Sequence, residues 1–347
     1  MYIGDFKERY SSDQAVFANT TSRFWLGVLF VILLIFPFVA GDYFLFMANL
    51  AGIAIVGAVG LNILTGFAGQ ISLGHAAFIG VGGYTAAILS TRFNMPFLVC
   101  LPLSGLMAAF FGIIVGGPSL RLKGLYLCIA TLAAQLILEF VFVHWESVTG
   151  GIRGINVSSP EIFGFVLDND FKFYFLTLVI VIICVIAARN LFRTRVGRAF
   201  IAIRDRDISA ELMGINLMQY KLYAFGISSF MAGISGCLWV NFLKTVTPEH
   251  FPLMESVRYL AMIIVGGMGS ILGSIFGAIF MTIVPEIIKT ILGFIVNIFP
   301  TAMSFLFPLQ QVIFGLLIVG FLIFEPHGLA EIWYRIKKYF HLWPFDH

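Results

Sequence analysis

The chain is a succession of long apolar runs, and their length constrains the fold more than any other feature. They are Phe24–Ala40, Tyr43–Leu64, His75–Ser90, Pro96–Gly116, Leu122–His144, Phe171–Ala188, Lys221–Val240, Ser256–Val265, Ile271–Ile288 and Pro308–Phe324. A helix needs roughly 20 largely apolar residues to cross a bilayer. Backbone in lipid must pair its polar groups internally, so helices are the natural form for such runs. The expectation is an all-α polytopic membrane bundle of about ten segments. Composition agrees, because 60% of the 347 residues are hydrophobic and 11% are charged, against about 25% charge in soluble domains. That balance excludes a soluble globular enzyme, a disordered chain and a nucleic-acid binder. Two of the runs, His75–Ser90 and Ser256–Val265, are short, and each adjoins a glycine-rich stretch.

The distribution of charge orients the bundle. Residues 189–221 carry seven basic side chains against three acidic ones, a net +4 in a chain whose total is +3. Residues 145–170 carry Arg153 against Glu146, Glu161, Asp168 and Asp170. By the positive-inside rule the first loop is cytoplasmic and the second external. Arg121 and Lys123, and then Arg335, Lys337 and Lys338, also fall on the inner side. Ten crossings place both termini in the cytoplasm. The leader before Phe24 is long and mixed in sign, unlike a cleaved signal, so the first run is expected to be retained. The organisation reads as a cytoplasmic segment 1–23, a transmembrane domain 24–325 with a cytoplasmic loop 189–221, and a tail 326–347. In that tail Trp333, Tyr334, Phe340 and Trp343 interleave with the basic residues, as in a helix lying on the inner membrane surface. Cys100, Cys128, Cys184 and Cys237 lie inside apolar runs without metal or redox spacing, and read as buried small hydrophobes. Neither a metal nor a cofactor is expected.

Three stretches stand out. Gly60–Tyr84 sets glycines and polar side chains between strongly apolar flanks. Broken helix at membrane depth survives only where protein or a wet cavity satisfies its backbone, and Thr65, Gln70, Ser72 and His75 are side chains that can do so. The stretch reads either as a re-entrant turn beside a translocation path or as an ordinary cytoplasmic turn, and the two are compatible. Thr65, Gly69, Gln70, Ser72, Gly74 and His75 are the path candidates. His75, Glu139 and Glu286 are the ionisable candidates inside apolar runs, with no spacing that makes a proton relay. Further along, Gly269, Gly273 and Gly277 recur every four residues, as do Ser228, Ala232 and Gly236. Such stripes let helix backbones approach closely. A shift of 198 positions overlays Gly69 on Gly267, Ser72 on Ser270 and Phe78 on Phe276, a hint of repeated halves. The third stretch, Arg195–Asn216, places Phe200, Ile203, Ile208 and Leu212 near helical spacing among charges. It reads as short amphipathic helices docking a cytoplasmic partner, or as a connector held by anionic headgroups.

Motifs for chemistry are missing from the sequence. There is no phosphate-loop pattern, no His-Glu-x-x-His, and no nucleophile elbow, since Gln70 stands where that pattern needs glycine. Nothing here argues for chemistry on a substrate, and no enzymatic role is expected.

Gly60–Tyr84, the loop segments Gly197–Arg204 and Ala210–Asn216, and the end Leu322–Leu329 together resemble the LivM-type permease family, from about Ala48 to Leu329. These are membrane subunits of ATP-binding-cassette (ABC) importers for branched-chain amino acids. The resemblance implies a homologous LivH-type permease, two cytoplasmic ABC ATPase subunits and a periplasmic or extracellular binding protein as partners, in an inner (plasma) membrane. It implies that Gly197, Arg198, Arg204, Ala210, Glu211 and Gly214 couple to the ATPases. Importer permeases carry Glu-Ala-Ala-x-x-x-Gly in this loop. Ala210 and Gly214 match its third and last positions, while Ile208 and Ser209 depart from the first two. Urea and other small amides or amino acids are alternative cargoes, and an ion-coupled carrier is the reading outside this class.

Overall fold

The computed structural model describes residues 20–119, 124–162, 164–298, 306–325 and 328–342. The described residues up to Phe46 form one compact unit and those from Met47 onward another. The first contains helix α1 (Thr20–Val39) and the opening of α2 (Asp42–Asn62). The second begins within α2 and continues with α3 (His75–Arg92), α4 (Phe97–Ser119), α5 (Leu125–His144) and the single turn α6 (Glu146–Thr149). Three two-residue strands follow: β1 (Ile155–Asn156), β2 (Glu161–Ile162) and β3 (Phe165–Val166). Then come α7 (Asp170–Leu191), α8 (Arg195–Asp205), α9 (Asp207–Leu212) and α10 (Leu217–Leu243). β4 (Thr245–Val246), α11 (Leu253–Gly266), α12 (Ile271–Ile298), α13 (Leu306–Phe324) and α14 (Leu329–Leu342) complete the order. β4 pairs antiparallel with β1, and β2 with β3, and these ladders tie loops rather than build a core.

Glycine sets the core of the second unit. Gly82 of α3 lies directly on the backbone of Gly233 in α10, and a methyl group on Gly236 would strike the Ile79 carbonyl. Gly60 of α2 faces Met231 and the Ser228 carbonyl, so the Ser228–Ala232–Gly236 stripe receives two helices. Without side chains between them, the helices gain dispersion contacts along their whole crossing. Phe78, Phe225, Leu238 and Met262 fill the remaining interior. The outer faces of α4, α5 and α7 expose Leu106, Phe110, Ile129, Ile137 and Ile183, the apolar exterior that lipid solvates.

Six described helical stretches are long and apolar enough to cross a membrane: Asp42–Phe67, Phe97–Pro118, Leu125–His144, Asp170–Leu191, Leu217–Leu243 and Ile271–Ile291. The other four expected runs are helical as well, as α1, α3, α11 and α13, but fall short of that combination of length and apolarity among the described residues. The chain is a polytopic helical membrane protein. Arg121, Lys123, Trp343 and nearly all of the leader 1–23 lie outside the described residues.

One expectation needs correction. Gly273 and Gly277 sit on α12, against Gly266–Gly267 and Met262 of α11, but Gly269 is not on that helix. It occupies the turn before it, at φ +77°. Four-residue spacing signals one helix face only while the helix continues, and here Gly267 (φ +121°) and Gly269 both adopt left-handed backbone that ends it.

Candidate functional site

The glycine-rich stretch after α2 is a helix break whose backbone is satisfied piece by piece. Beyond Asn62 the ladder widens into a π turn over Ile63–Phe67, closed by Ala68 N–H donating to the Ile63 carbonyl (3.1 Å). Single π turns inside helices are frequent at functional sites. Gln70 N–H reaches back to the Leu64 carbonyl (3.0 Å), and the Thr65 hydroxyl donates to the Gln70 carbonyl (3.1 Å). The chain reverses at Gly69, at φ +68°.

The first amides of α3 lack intrahelical acceptors, as at any helix start, and side chains from other helices supply them. Leu73 N–H donates to Thr131 Oγ1 of α5 (3.0 Å), and Gly74 N–H points at Ser72 Oγ (3.3 Å). Ala76 N–H donates to Ser256 Oγ of α11 (2.9 Å) and Ala77 N–H to Gln135 Oε1 of α5 (2.7 Å). Gln135 also donates to the Phe251 carbonyl (2.9 Å), and Ser256 to Gln135 Oε1 (3.2 Å). His75 is buried with Nε2 2.9 Å from the Gly57 carbonyl and its ring edge-on to Tyr259. It is a hydrogen-bonded interior histidine. Gln70 is buried too, yet neither polar atom of its side chain has a hydrogen-bond partner among the described residues.

A second turn lies against the first. Asn62, fully buried, donates through Nδ2 to the Ser270 carbonyl (2.8 Å) and to Ser274 Oγ (2.7 Å), and its Oδ1 accepts from Gly269 N–H (2.9 Å). Gly66 and Gly269 have almost touching backbones. The two stretches that overlay at a shift of 198 residues each form helix, positive-φ glycine turn and helix, with Gly69 in one and Gly267 in the other.

The basic loop docks on this pair of turns. Thr194 caps α8 by accepting from Gly197 N–H (3.4 Å), and Gly197 packs against the Leu191 and Phe192 backbone. Phe200 and Ile203 turn inward from α8, while Ile208, Leu212 and Met213 on and after α9 are exposed. Ala210 is buried and Gly214 stands in the open at φ +87°. Arg198 Nη1 donates to the nearby Arg193 carbonyl (3.2 Å), and Glu211 is exposed with its carbonyl accepting from Gly214 N–H (2.9 Å). Arg204 is different. Its Nη1 donates to the Gly66 carbonyl (3.0 Å), which the π turn leaves free, and its Nε and Nη2 both lie 3.0 Å from Asp205 Oδ1. The Arg204 stem runs over Gly69, where a side chain would collide, and Gly269 faces the guanidinium. Phe67 stacks on Phe192 at 3.6 Å beside it. Two separately chosen groups, the path candidates and the loop, therefore meet at Arg204.

Sequence reading missed Asn62, Thr131, Gln135 and Ser256, the polar residues that support the break from other helices. It also missed Glu255 and Arg258 on α11, whose N···O separation is 3.6 Å. A polar side chain inside an apolar run was the available signal. Among the intramembrane acids that were considered, Glu139 is half-buried on α5 and Glu286 lies 3.7 Å from Lys289.

No solved structure matches the chain. It is 32% identical over 277 residues to the high-affinity branched-chain amino acid transport system permease protein LivM of Escherichia coli (strain K12), and 31% identical to LivM of Salmonella typhimurium. Each alignment covers 73% of this chain but 65% of the relative, so the chain spans somewhat less than two thirds of those proteins. The ribose import permease protein RbsC of Haemophilus influenzae is 23% identical over 272 residues, 72% of this chain and 80% of that protein. Residues 43–322 match the family described as branched-chain amino acid transport system / permease component, which takes in both glycine turns and the whole basic loop, and the chain belongs to that family.

Proposed function

We infer that this chain is a permease subunit of an ATP-binding-cassette importer and forms part of the translocation path for branched-chain amino acids. The observation that carries the reading is the Arg204 contact. It joins the exposed face of α8 and α9 to the helix break after α2. In this reading residues 189–221 lie in the cytoplasm, where ATPase subunits grip Ile208, Leu212 and Met213. A displacement of α8 then reaches Gly66 and Gly269 through a single guanidinium. The motor sits outside the membrane, so no intramembrane proton relay is required. His75 fits this, being occupied with a backbone carbonyl. A second, LivH-type permease completes the path, and a binding protein delivers the amino acid to the opposite face. The chain sits in the inner membrane with both termini on the ATPase side.

The test is reconstitution in proteoliposomes. Leucine uptake should require ATP inside the ATPase-side compartment and all the partner subunits. Gly214→Glu should abolish uptake while the subunit still inserts, because it places a charge and an L side chain on left-handed backbone at the docking surface. Uphill leucine uptake by the chain alone, driven by an ion gradient, would overturn the reading.

A further inference from the structure

The Glu255–Arg258 pair has no place in the coupling contact just described, and its depth is unusual. A neighbouring helix fixes it. Ser256, beside Glu255, donates to Gln135, the eleventh of the twenty residues of α5. Nine or ten residues at 1.5 Å each put Gln135 about 15 Å from either end of that helix. Arg258 Nη2 lies 3.4 Å from the Met281 carbonyl of α12. An acid and a base therefore sit level with the middle of α5.

They are not sealed in the interior. The Glu255 side chain is 21% exposed and that of Arg258 33%. On the same side of α11, Met254 and Val257 are exposed. A charged pair that opens outward at this depth is costly against hydrocarbon, and such groups face a bundle interior or a wet cavity. Nor is the pair closed on itself. The N···O separation of 3.6 Å exceeds a hydrogen bond, and the contact to Met281 is long as well. The guanidinium keeps donors to offer, and the carboxylate keeps lone pairs.

We propose that Glu255 and Arg258 bind the two charges of a zwitterionic α-amino acid at mid-membrane, with Met254 and Val257 flanking its aliphatic side chain; this rests on the importer reading above. The carboxylate of Glu255 accepts hydrogen bonds from the ammonium group. The planar guanidinium of Arg258 presents a fork to the carboxylate. The two side chains sit one helical turn apart, so one small molecule can bridge them from their exposed side. The face of α11 that carries them then lines the path shared with the second permease.

The experiment uses the complete importer in proteoliposomes, with leucine as the probe. Glu255→Gln and Arg258→Gln should each lower leucine uptake at least tenfold, about the loss of one charge-assisted contact. Stimulation of ATP hydrolysis by the loaded binding protein should persist in both, which a collapsed fold would not allow. Arg258→Lys keeps the charge without the fork and should recover part of the uptake. In parallel, Val257→Cys and Met254→Cys are treated with a charged thiol reagent. A thiol reacts as its thiolate, so it labels beside water and stays inert in lipid. Both should label faster than Ile183→Cys on the outer face of α7, and leucine turnover should alter the rate. Wild-type uptake in both glutamine variants, or labelling no faster than at Ile183→Cys, overturns the proposal. Absence of ATP-driven uptake in the wild-type complex overturns the importer reading instead.

Discussion

Arg204→Ala isolates the contact between loop and helix break. Arg204 Nη1 donates to the Gly66 carbonyl at 3.0 Å, and a hydrogen bond from a charged donor contributes about 1.5–3 kcal/mol. The side chain remains 38% exposed, so water replaces part of that and the lower end of the range applies. A loss of about 1.4 kcal/mol is a tenfold change in an equilibrium. If the motion of α8 reaches the turns through this bond, leucine delivered per ATP hydrolysed should fall about tenfold in Arg204→Ala, with hydrolysis itself preserved. Arg195→Ala is the matched control. It removes an exposed arginine from the same helix, outside the expected coupling set, and its ratio should stay near that of the wild type. The assay measures uptake and phosphate release in the same proteoliposomes. An unchanged ratio in Arg204→Ala, or an equal loss in Arg195→Ala, refutes the reasoning.

Two further outcomes concern stability. Asn62→Ala deletes three hydrogen bonds and strands the Gly269 N–H, a cost of about 3–5 kcal/mol, from about 1 for each of the two bonds that Nδ2 donates and about 1–3 for the orphaned N–H. The monodisperse peak in detergent size-exclusion scans should vanish at clearly lower temperature, and an unchanged midpoint would contradict the assignment. Gly236→Ala places a methyl group against the Ile79 carbonyl and 2.8 Å from Gly83 N. Both are backbone, so α3 and α10 must separate, at about 1–3 kcal/mol or more. Gly117→Ala, which meets nothing within 4 Å, should be neutral in the same scan.

The long apolar runs were legible because lipid leaves a segment few alternatives to helix. The helix break after Asn62 was legible for the converse reason, since polar residues and glycine inside such a run have to be accounted for. Its partners were not. The residues that satisfy the break come from α5, α8 and α11, and Arg204 reaches Gly66 across 138 positions. Local pattern carries no information about which distant donor meets which carbonyl. Gly269 misled because spacing was counted through a turn that reverses the chain. Glu255 lies just outside the run Ser256–Val265 and Arg258 is a single charge within it, so spacing marks neither. Their depth emerged only from the contact between Ser256 and Gln135 on α5.

The Asn62 carboxamide has a consequence for biogenesis. Its acceptor and donor partners are encoded 207 to 212 positions downstream. At about 5–20 residues per second, the ribosome needs on the order of 10–40 s to deliver them. During that interval a polar amide waits in a newly inserted helix without its eventual mates. The nascent subunit must shelter it, by water at the open break or by the insertion machinery, until the far hairpin arrives.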